Sequence, residues 1–485
     1  LSANWAAFTE AVSGIAKYEY AIGTFSGGTD VLGWTDNSSD TTFTKTSLTL
    51  ASGSAYYMNV RATDSAGNIS DVISSDGVTV DLAGPIVGTI IDGTETDIDW
   101  DNDTTSLSAV WTGFSDSLSG LEKYEYGIGT SSGGTEIVDW TENSTDTSVT
   151  KTDLTLSNSS TYYVSSRATD NVGNVSEPAV SDGITIDTDA PVISSVSEGT
   201  FAEDIDFQNS DSTLIITWSG DDDASGISTY EYALGTTSGG TDAIDWTSTG
   251  TSTADTLTGL SLTEGSTYYL STRATDVAGN VSDIVTSDGI LIDLTAPLAG
   301  IVIDGTESDL SYTGSDSTLT ASWTEFDDNI SGIVGYEISV NDGDVYPWTG
   351  VGSVSSSTVT GLGLDHGSEY TLDIRATDAA GNVSDAATTD GIIVDTQPPG
   401  SLLEFASEYY NEPGWNESVQ IQGSAADGEN ESDLSMIELA IEDTSDNTYY
   451  TGSSWDGMEQ WVAATGTDSW TYELSADQLS DRHGY

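Results

Sequence analysis

The segment RATDSAGNISD, residues 61–71, sets three oxygen-bearing side chains close together: Asp64, Asn68 and Asp71. It returns as RATDNVGNVSE at 167–177, RATDVAGNVSD at 273–283 and RATDAAGNVSD at 375–385. Carboxylates and carbonyls gathered in a loop suit a hard cation such as calcium, which takes about six to eight oxygen ligands. The same residues also make a turn. Asp64 can cap backbone N–H groups, and Gly67-Asn68 suits left-handed backbone. Neither EF-hand spacing nor the RTX nonapeptide is present.

Other chemistries have little to stand on. The only histidines are His366 and His483, distant in the chain, and there is no cysteine. Ser-His-Asp catalysis, thiol catalysis and zinc binding are therefore unsupported. His366, in LDHGSEY, occupies a corner where the other copies carry Ser, Asn or Glu, which is the setting of a structural loop residue. Paired carboxylates occur throughout, so no one pair points to glycoside hydrolysis. SGGT at 26–29, 132–135 and 238–241 lacks the GK[ST] ending and following helix of a phosphate loop. GN[IV]S, NSS (37–39 and 158–160) and NST (143–145) match the N-x-[ST] acceptor pattern, where an added glycan would show in the intact mass. The chain reads as non-enzymatic.

Composition narrows the partners. Of 485 residues, 80 are Asp or Glu and only 9 are Lys or Arg, giving a formal net charge of -71. That excludes nucleic acid, which needs a basic surface, and disfavours anionic membranes. It keeps the surface hydrated and attracts cations. The absence of cysteine removes disulfides and fits a bacterial or archaeal exported protein. No apolar run of about 20 residues exists, so no membrane insertion is expected here.

The elements that must hold these loops repeat. Trp5, Trp111, Trp218 and Trp323 lie 106, 107 and 105 residues apart, and Arg61, Arg167, Arg273 and Arg375 lie 106, 106 and 102 apart. The last copy is short because YEYGIGTSSGGTEIVDW becomes YEISVNDGDVYPW, a long loop traded for an NDGD turn. SLSAVW, KYEYGI, TYYVSSRATD and DGITIDT read as short strands between Gly, Ser, Asn and Asp clusters. Proline marks four junctions: VDLAGP (80–85), IDTDAP (186–191), IDLTAP (292–297) and VDTQPP (394–399). The fold class is all-β, a tandem array of antiparallel sandwiches.

The period resembles the fibronectin type III domain, over about residues 1–398. That family places a Trp on its second strand, as Trp111 stands in LSAVWTGF. It also places a Leu six residues before a Tyr, the spacing of Leu50/Tyr56, Leu156/Tyr162, Leu262/Tyr268 and Leu364/Tyr370. The resemblance implies a tyrosine corner, with the hydroxyl bonded back to the backbone. From that corner, Tyr162, Val164 and Ala168 should face the core, and Tyr163, Ser165 and Arg167 solvent. Tyr124 and Tyr126 should point inward and Glu125 outward. The third and sixth strands are neighbours in this fold, predicting cross-strand pairs Glu19–Arg61, Glu125–Arg167, Glu231–Arg273 and Glu337–Arg375.

The resemblance also implies where acids meet. Two loops of each sandwich share the pole that faces the preceding linker. Calcium is expected between repeats. One set is Asp187 of the linker with Asp221, Asp222, Asp223, Asp276 and Asn280. The next is Asp293 with Asp327, Asp328, Asn329, Asp378 and Asn382. Asp189 of the linker, and Asp97, Asp99, Asp101 and Asp103 of the preceding repeat, lie near the first set.

The expected units are 1–84, 85–190, 191–296 and 297–398, all fibronectin type III-like, and 399–485. The first lacks its opening strand and the last its closing strands, as in a segment of a longer protein. Residues 399–485 resemble the bacterial Ig-like domains of large surface proteins. Trp415, Trp455 and Trp461 there are candidates for glycan stacking, against the commoner role of core packing. The expected function is a structural or adhesive stalk at the cell surface or outside the cell. Its partners would be other copies of itself or extracellular components, glycans among them. The alternatives are a glycan- or protein-binding module and an accessory region of a secreted hydrolase.

Overall fold

A computed structural model describes residues 1–404, 419–427, 434–444 and 447–475, and among these no helix forms. In the second repeat the strand Leu107–Thr112 alternates buried Leu107, Ala109 and Trp111 with outward Ser108, Val110 and Thr112. One face is therefore apolar and must be covered. It pairs on one edge with Thr89–Asp92 and on the other with Ser148–Lys151. The facing sheet runs Val138–Glu142, Leu121–Gly129, Thr161–Asp170, Ile184–Ile186, with Trp100–Asp101 added in parallel at its edge. Two sheets of this composition and order are the fibronectin type III sandwich. The third repeat has the same two-sheet arrangement, and the fourth keeps the same strand pairs.

Trp111 and Trp218 sit at the centres of their cores, fully buried among aliphatic and tyrosyl side chains. The tyrosine corner is present in all four repeats. The hydroxyls of Tyr56, Tyr162, Tyr268 and Tyr370 accept from the N–H of Ala51, Ser157, Thr263 and Asp365 at 2.8, 2.9, 3.0 and 3.0 Å. The shortened loop of the fourth repeat is a tight turn with Asn341 and Asp342 at φ of 52° and 50°, the left-handed region that Asn and Asp tolerate.

One inside-out expectation fails. Tyr162, Val164 and Ala168 are buried and Arg167 is half-exposed, but Ser165, on the outward face, is 0% exposed. At the equivalent places in other repeats the neighbouring loop folds onto the sheet. Gly239 donates its N–H to Ser271 Oγ at 3.1 Å. Asn59 accepts from Gly27 and donates to the Gly28 carbonyl. Asp342 donates to Asp373 in the shorter turn. Strand alternation predicts which face a side chain takes, not what later covers that face.

In 399–485 the described strands Gly400–Glu404, Val419–Ala426 and Ser469–Leu474 form one antiparallel sheet. A small core there gathers Tyr450, Val462 and Leu474.

Candidate cation sites at the repeat junctions

The loop after each long strand is a compact turn built by its Asp. In the third repeat Asp276 Oδ1 accepts from the N–H of Gly279 and Asn280 at 2.6 and 2.8 Å, and Oδ2 from Asn280 Nδ2 at 2.8 Å. Asn280 Nδ2 also donates to the carbonyl of Asp187, in the linker from the preceding repeat, at 2.8 Å. Asn382 and Asn174 make the same reach, to the carbonyls of Asp293 and Asp81 at 2.9 and 3.3 Å. This amide is thus the tie between one repeat and the next, and it meets the linker through its nitrogen rather than as an oxygen ligand.

The linker Asp completes the junction. Asp187 N–H donates to the Asp101 carbonyl of its own repeat, while its Oδ2 accepts from Ser225 of the next, at 2.9 and 3.1 Å. Asp293 repeats this with Gln208 and Ser331. Oxygens of Asp187, Asp222 and Asp276 lie within 4.8 Å of one another, as do those of Asp293, Asp328 and Asp378. A third group, Asp81, Asp116 and Asp170, forms the same junction one repeat earlier. The sequence reading missed Asp81 and Asp116, although Asp170 stands in the repeated loop.

The other expected ligands lie elsewhere. Asp221, Asp223, Asp327 and Asn329 are exposed, and Asp327 exchanges main-chain bonds with Leu298. Asp189 turns back to accept from Asn158 of its own repeat at 2.7 Å. Asp103 caps its own loop through Thr105 and Ser106, and Asp97 joins a group inside the second repeat. In the first repeat, Asp64 makes the same turn with Asn68, while Asp71 is exposed. At the first junction the two flanking loops hold their acids ionised. The Gly120 N–H leads in lowering Asp116. For Asp170 burial opposes ionisation, but the bonds from Asn174 and Val172 outweigh it. Like charges gathered this closely still repel one another, the more weakly where water reaches them. A divalent cation would relieve that repulsion and take their oxygens as ligands.

The four predicted ion pairs are present: Glu19–Arg61, Glu125–Arg167, Glu231–Arg273 and Glu337–Arg375, at 2.9, 2.9, 2.8 and 2.6 Å. Each guanidinium also covers an indole, of Trp34, Trp140, Trp246 or Trp348, at 4.2–4.4 Å from the ring centroid. The constant Trp that ends each long loop was the available signal. One face of each of these rings is taken, which removes it as a sugar platform.

In the last unit Trp455 packs on Tyr450, centroids 5.4 Å apart, Trp461 is 57% exposed, and Trp415 lies outside the described residues. His366 Nδ1 accepts from the Thr396 N–H at 3.2 Å, a loop contact. His483 also lies outside the described residues.

No family model matches the chain. It is similar to exoglucanase B of Cellulomonas fimi, 32% identical over 293 residues, which span 56% of this chain and 23% of that enzyme. Chitinase A1 of Niallia circulans is 35% identical over 155 residues, 31% of this chain and 20% of that enzyme. The chain thus spans a quarter or less of the length of these curated relatives. Among solved structures, one described as a bacterial ice-binding adhesin is 18% identical, covering 65% of this chain and 99% of that one, with a TM-score of 0.33.

Proposed function

We propose that the chain is a non-catalytic spacer of a larger exported protein, with calcium bracing the joints between its repeats. The observation that carries this is the threefold recurrence of a carboxylate group drawn from two consecutive repeats, at Asp81/Asp116/Asp170, Asp187/Asp222/Asp276 and Asp293/Asp328/Asp378. A cation there ties the linker to both loops of the following sandwich, so hinging at the joint costs ligands. The units ending near 84, 190, 296 and 398 then act as rods in series, each with its own core. Backbone carbonyls and water would complete a coordination shell of about six to eight oxygens. Extracellular calcium modules work at roughly 10⁻⁴–10⁻³ M, and an exported location supplies that range.

Two relatives support a hydrolase-borne spacer over a free-standing adhesive stalk. An exoglucanase and a chitinase, named for different polysaccharides, are each similar to part of this chain, at 32% and 35% identity, over a quarter or less of their own lengths. Repeats of this kind, carried by enzymes named for different polysaccharides, suit a spacer rather than the part that selects the substrate. The polypeptide sequence on either side of the chain distinguishes the two placements. The spacer reading is tested by calorimetry and small-angle scattering in calcium and in excess chelator. Calcium at 100 times its dissociation constant contributes about 2.7 kcal/mol per site. Chelation should therefore lower the melting temperature and broaden the distance distribution. An unchanged melt and unchanged scattering would remove calcium from the joints.

A further inference from the structure

A different acidic group recurs inside the sandwiches. In the second repeat, the strand Thr89–Asp92 ends on Asp92, which is 0% exposed. Its Oδ2 accepts from the Gly183 N–H at 3.1 Å, while Oδ1 is buried and has no partner. Asp97, whose Oδ1 accepts from the Asp92 N–H at 3.0 Å, and Asp182 bring carboxylate oxygens to within 4.8 Å of it and of each other. In the third repeat Glu198 takes the place of Asp92. It too is 0% exposed, and its Oε1 accepts from Ser287 Oγ at 2.5 Å and from Leu270 N–H at 3.2 Å. Its Oε2 is buried and unpartnered, and Asp204 and Asp288 stand at the same 4.8 Å. In the fourth repeat both oxygens of the fully buried Asp304 lack partners, Asp309 again accepts from its N–H, at 3.0 Å, and the exposed Asp390 is the second like charge acting on it.

We propose that Asp92 with Asp97 and Asp182, Glu198 with Asp204 and Asp288, and Asp304 with Asp309 and Asp390 each hold a divalent cation of the calcium class within its own sandwich. Two exposed carboxylates form the mouth and the buried one the floor. A carboxylate oxygen removed from water without a partner is costly, and like charges at its mouth add to the cost. A hard cation relieves both at once, by ligating the bare oxygen and neutralising its neighbours. Burial pushes Asp92 up to about 6 despite Ser181 and Gly183, with Asp182 and Asp97 adding to it. Burial likewise raises Glu198 to about 7, against the bond from Ser287. For Asp304, burial again leads and the value reaches about 6. Thr389 and Gly391 lie near enough to soften the cost, but neither reaches Asp304 in hydrogen-bonding geometry. The motif is legible as DGTETD (92–97), EGTFAED (198–204) and DGTESD (304–309), answered by SDG (181–183), SDG (287–289) and TDG (389–391).

The junction groups use none of these residues, so the two kinds of site fail separately. The test counts calcium bound per full chain by equilibrium dialysis with elemental analysis, using calcium alone. Asp97→Asn/Asp182→Asn, both at exposed positions, should lose one ion with an unchanged circular dichroism spectrum. Asp204→Asn/Asp288→Asn should lose another, and the combined variant two. Glu198→Gln, which keeps size while removing charge, should lose the same ion as the Asp204/Asp288 variant. Asp222→Asn at the junction should leave these ions in place. A full complement of calcium in the folded Asp97/Asp182 and Asp204/Asp288 variants overturns the proposal, the buried acids then holding a proton only. So does a count that falls only in Asp222→Asn.

Discussion

The junction and interior groups contain the same number of carboxylates and are prepared in opposite ways. At the joints, Asp222 accepts from Gly226, Asp328 from Gly332, and Asp276 and Asp378 from Asn280 and Asn382. The loops supply N–H groups, so the acids are organised by the chain itself. Inside the sandwiches, Asp92 and Asp304 at the last residue of a strand, and Glu198 two residues before the end of one, are carried into the core and left with bare oxygens. The contrast teaches that loop acids are satisfied locally, whereas a buried acid on a strand depends on something the chain does not contain, a proton or a cation. Asp81 is the junction acid that shares the interior character, since its Oδ2 is buried without a partner.

The largest effect separating the two regions is pH in the calcium-free chain. Unfolded Asp and Glu titrate near about 3.9 and 4.3. Folded Glu198 is raised to about 7, and Asp92 and Asp304 to about 6, so each binds its proton more readily when folded. Their contribution is fully present below the unfolded values and is lost as pH rises through 6 to 7. Asp116 and Asp170 are lowered, so theirs is present above about 3.9 and lost only at more acid pH. Stability in chelator should therefore rise from pH 8 to pH 5, by on the order of 2 kcal/mol for Glu198 alone. Denaturant titrations should show Glu198→Gln flattening that rise, and Asp116→Asn leaving it intact. A flat profile in the unmutated chain would place the buried acids on the same footing as the junction acids.

A smaller effect isolates the joint. Asn280→Ala removes the bond to the linker carbonyl and should cost about 1 kcal/mol, read as a few-fold weaker calcium binding at that joint by titration calorimetry. The interior ions should bind as before. The smallest effect lies outside both regions. Arg167→Met breaks the Glu125 pair and the stack on Trp140, worth on the order of 1 kcal/mol in the melt. It should leave the calcium count unchanged; a lost ion would mean the sheet face and the sites are coupled.

Much of this was legible in the sequence for a stated reason. The Leu–Tyr spacing fixed the corner, and period-2 alternation from that corner gave the register that pairs each Glu with its Arg. The junction sets were legible in part. Asp187, Asp222 and Asp276 meet, while Asp221 and Asp223 on either side of Asp222 stay exposed, because consecutive side chains leave the backbone in different directions. The interior groups were not read, although EGT and SDG are plain in the third repeat. Their members stand about 90 residues apart and meet only when the first strand and the last are brought onto facing sheets. The burial of Ser165 was missed because a neighbouring loop, not its own strand, decides it.

By itself the sequence determined the repeat, the all-β class, the aromatic core positions and the cross-strand ion pairs. Each follows from local periodicity and from one spacing that recurs four times. Only the tertiary structure decided which of many acids come together and which oxygens are left without a partner. Composition counts charges, but whether a carboxylate is hydrated, bonded or bare depends on the burial and backbone donors that the packed sandwich puts around it.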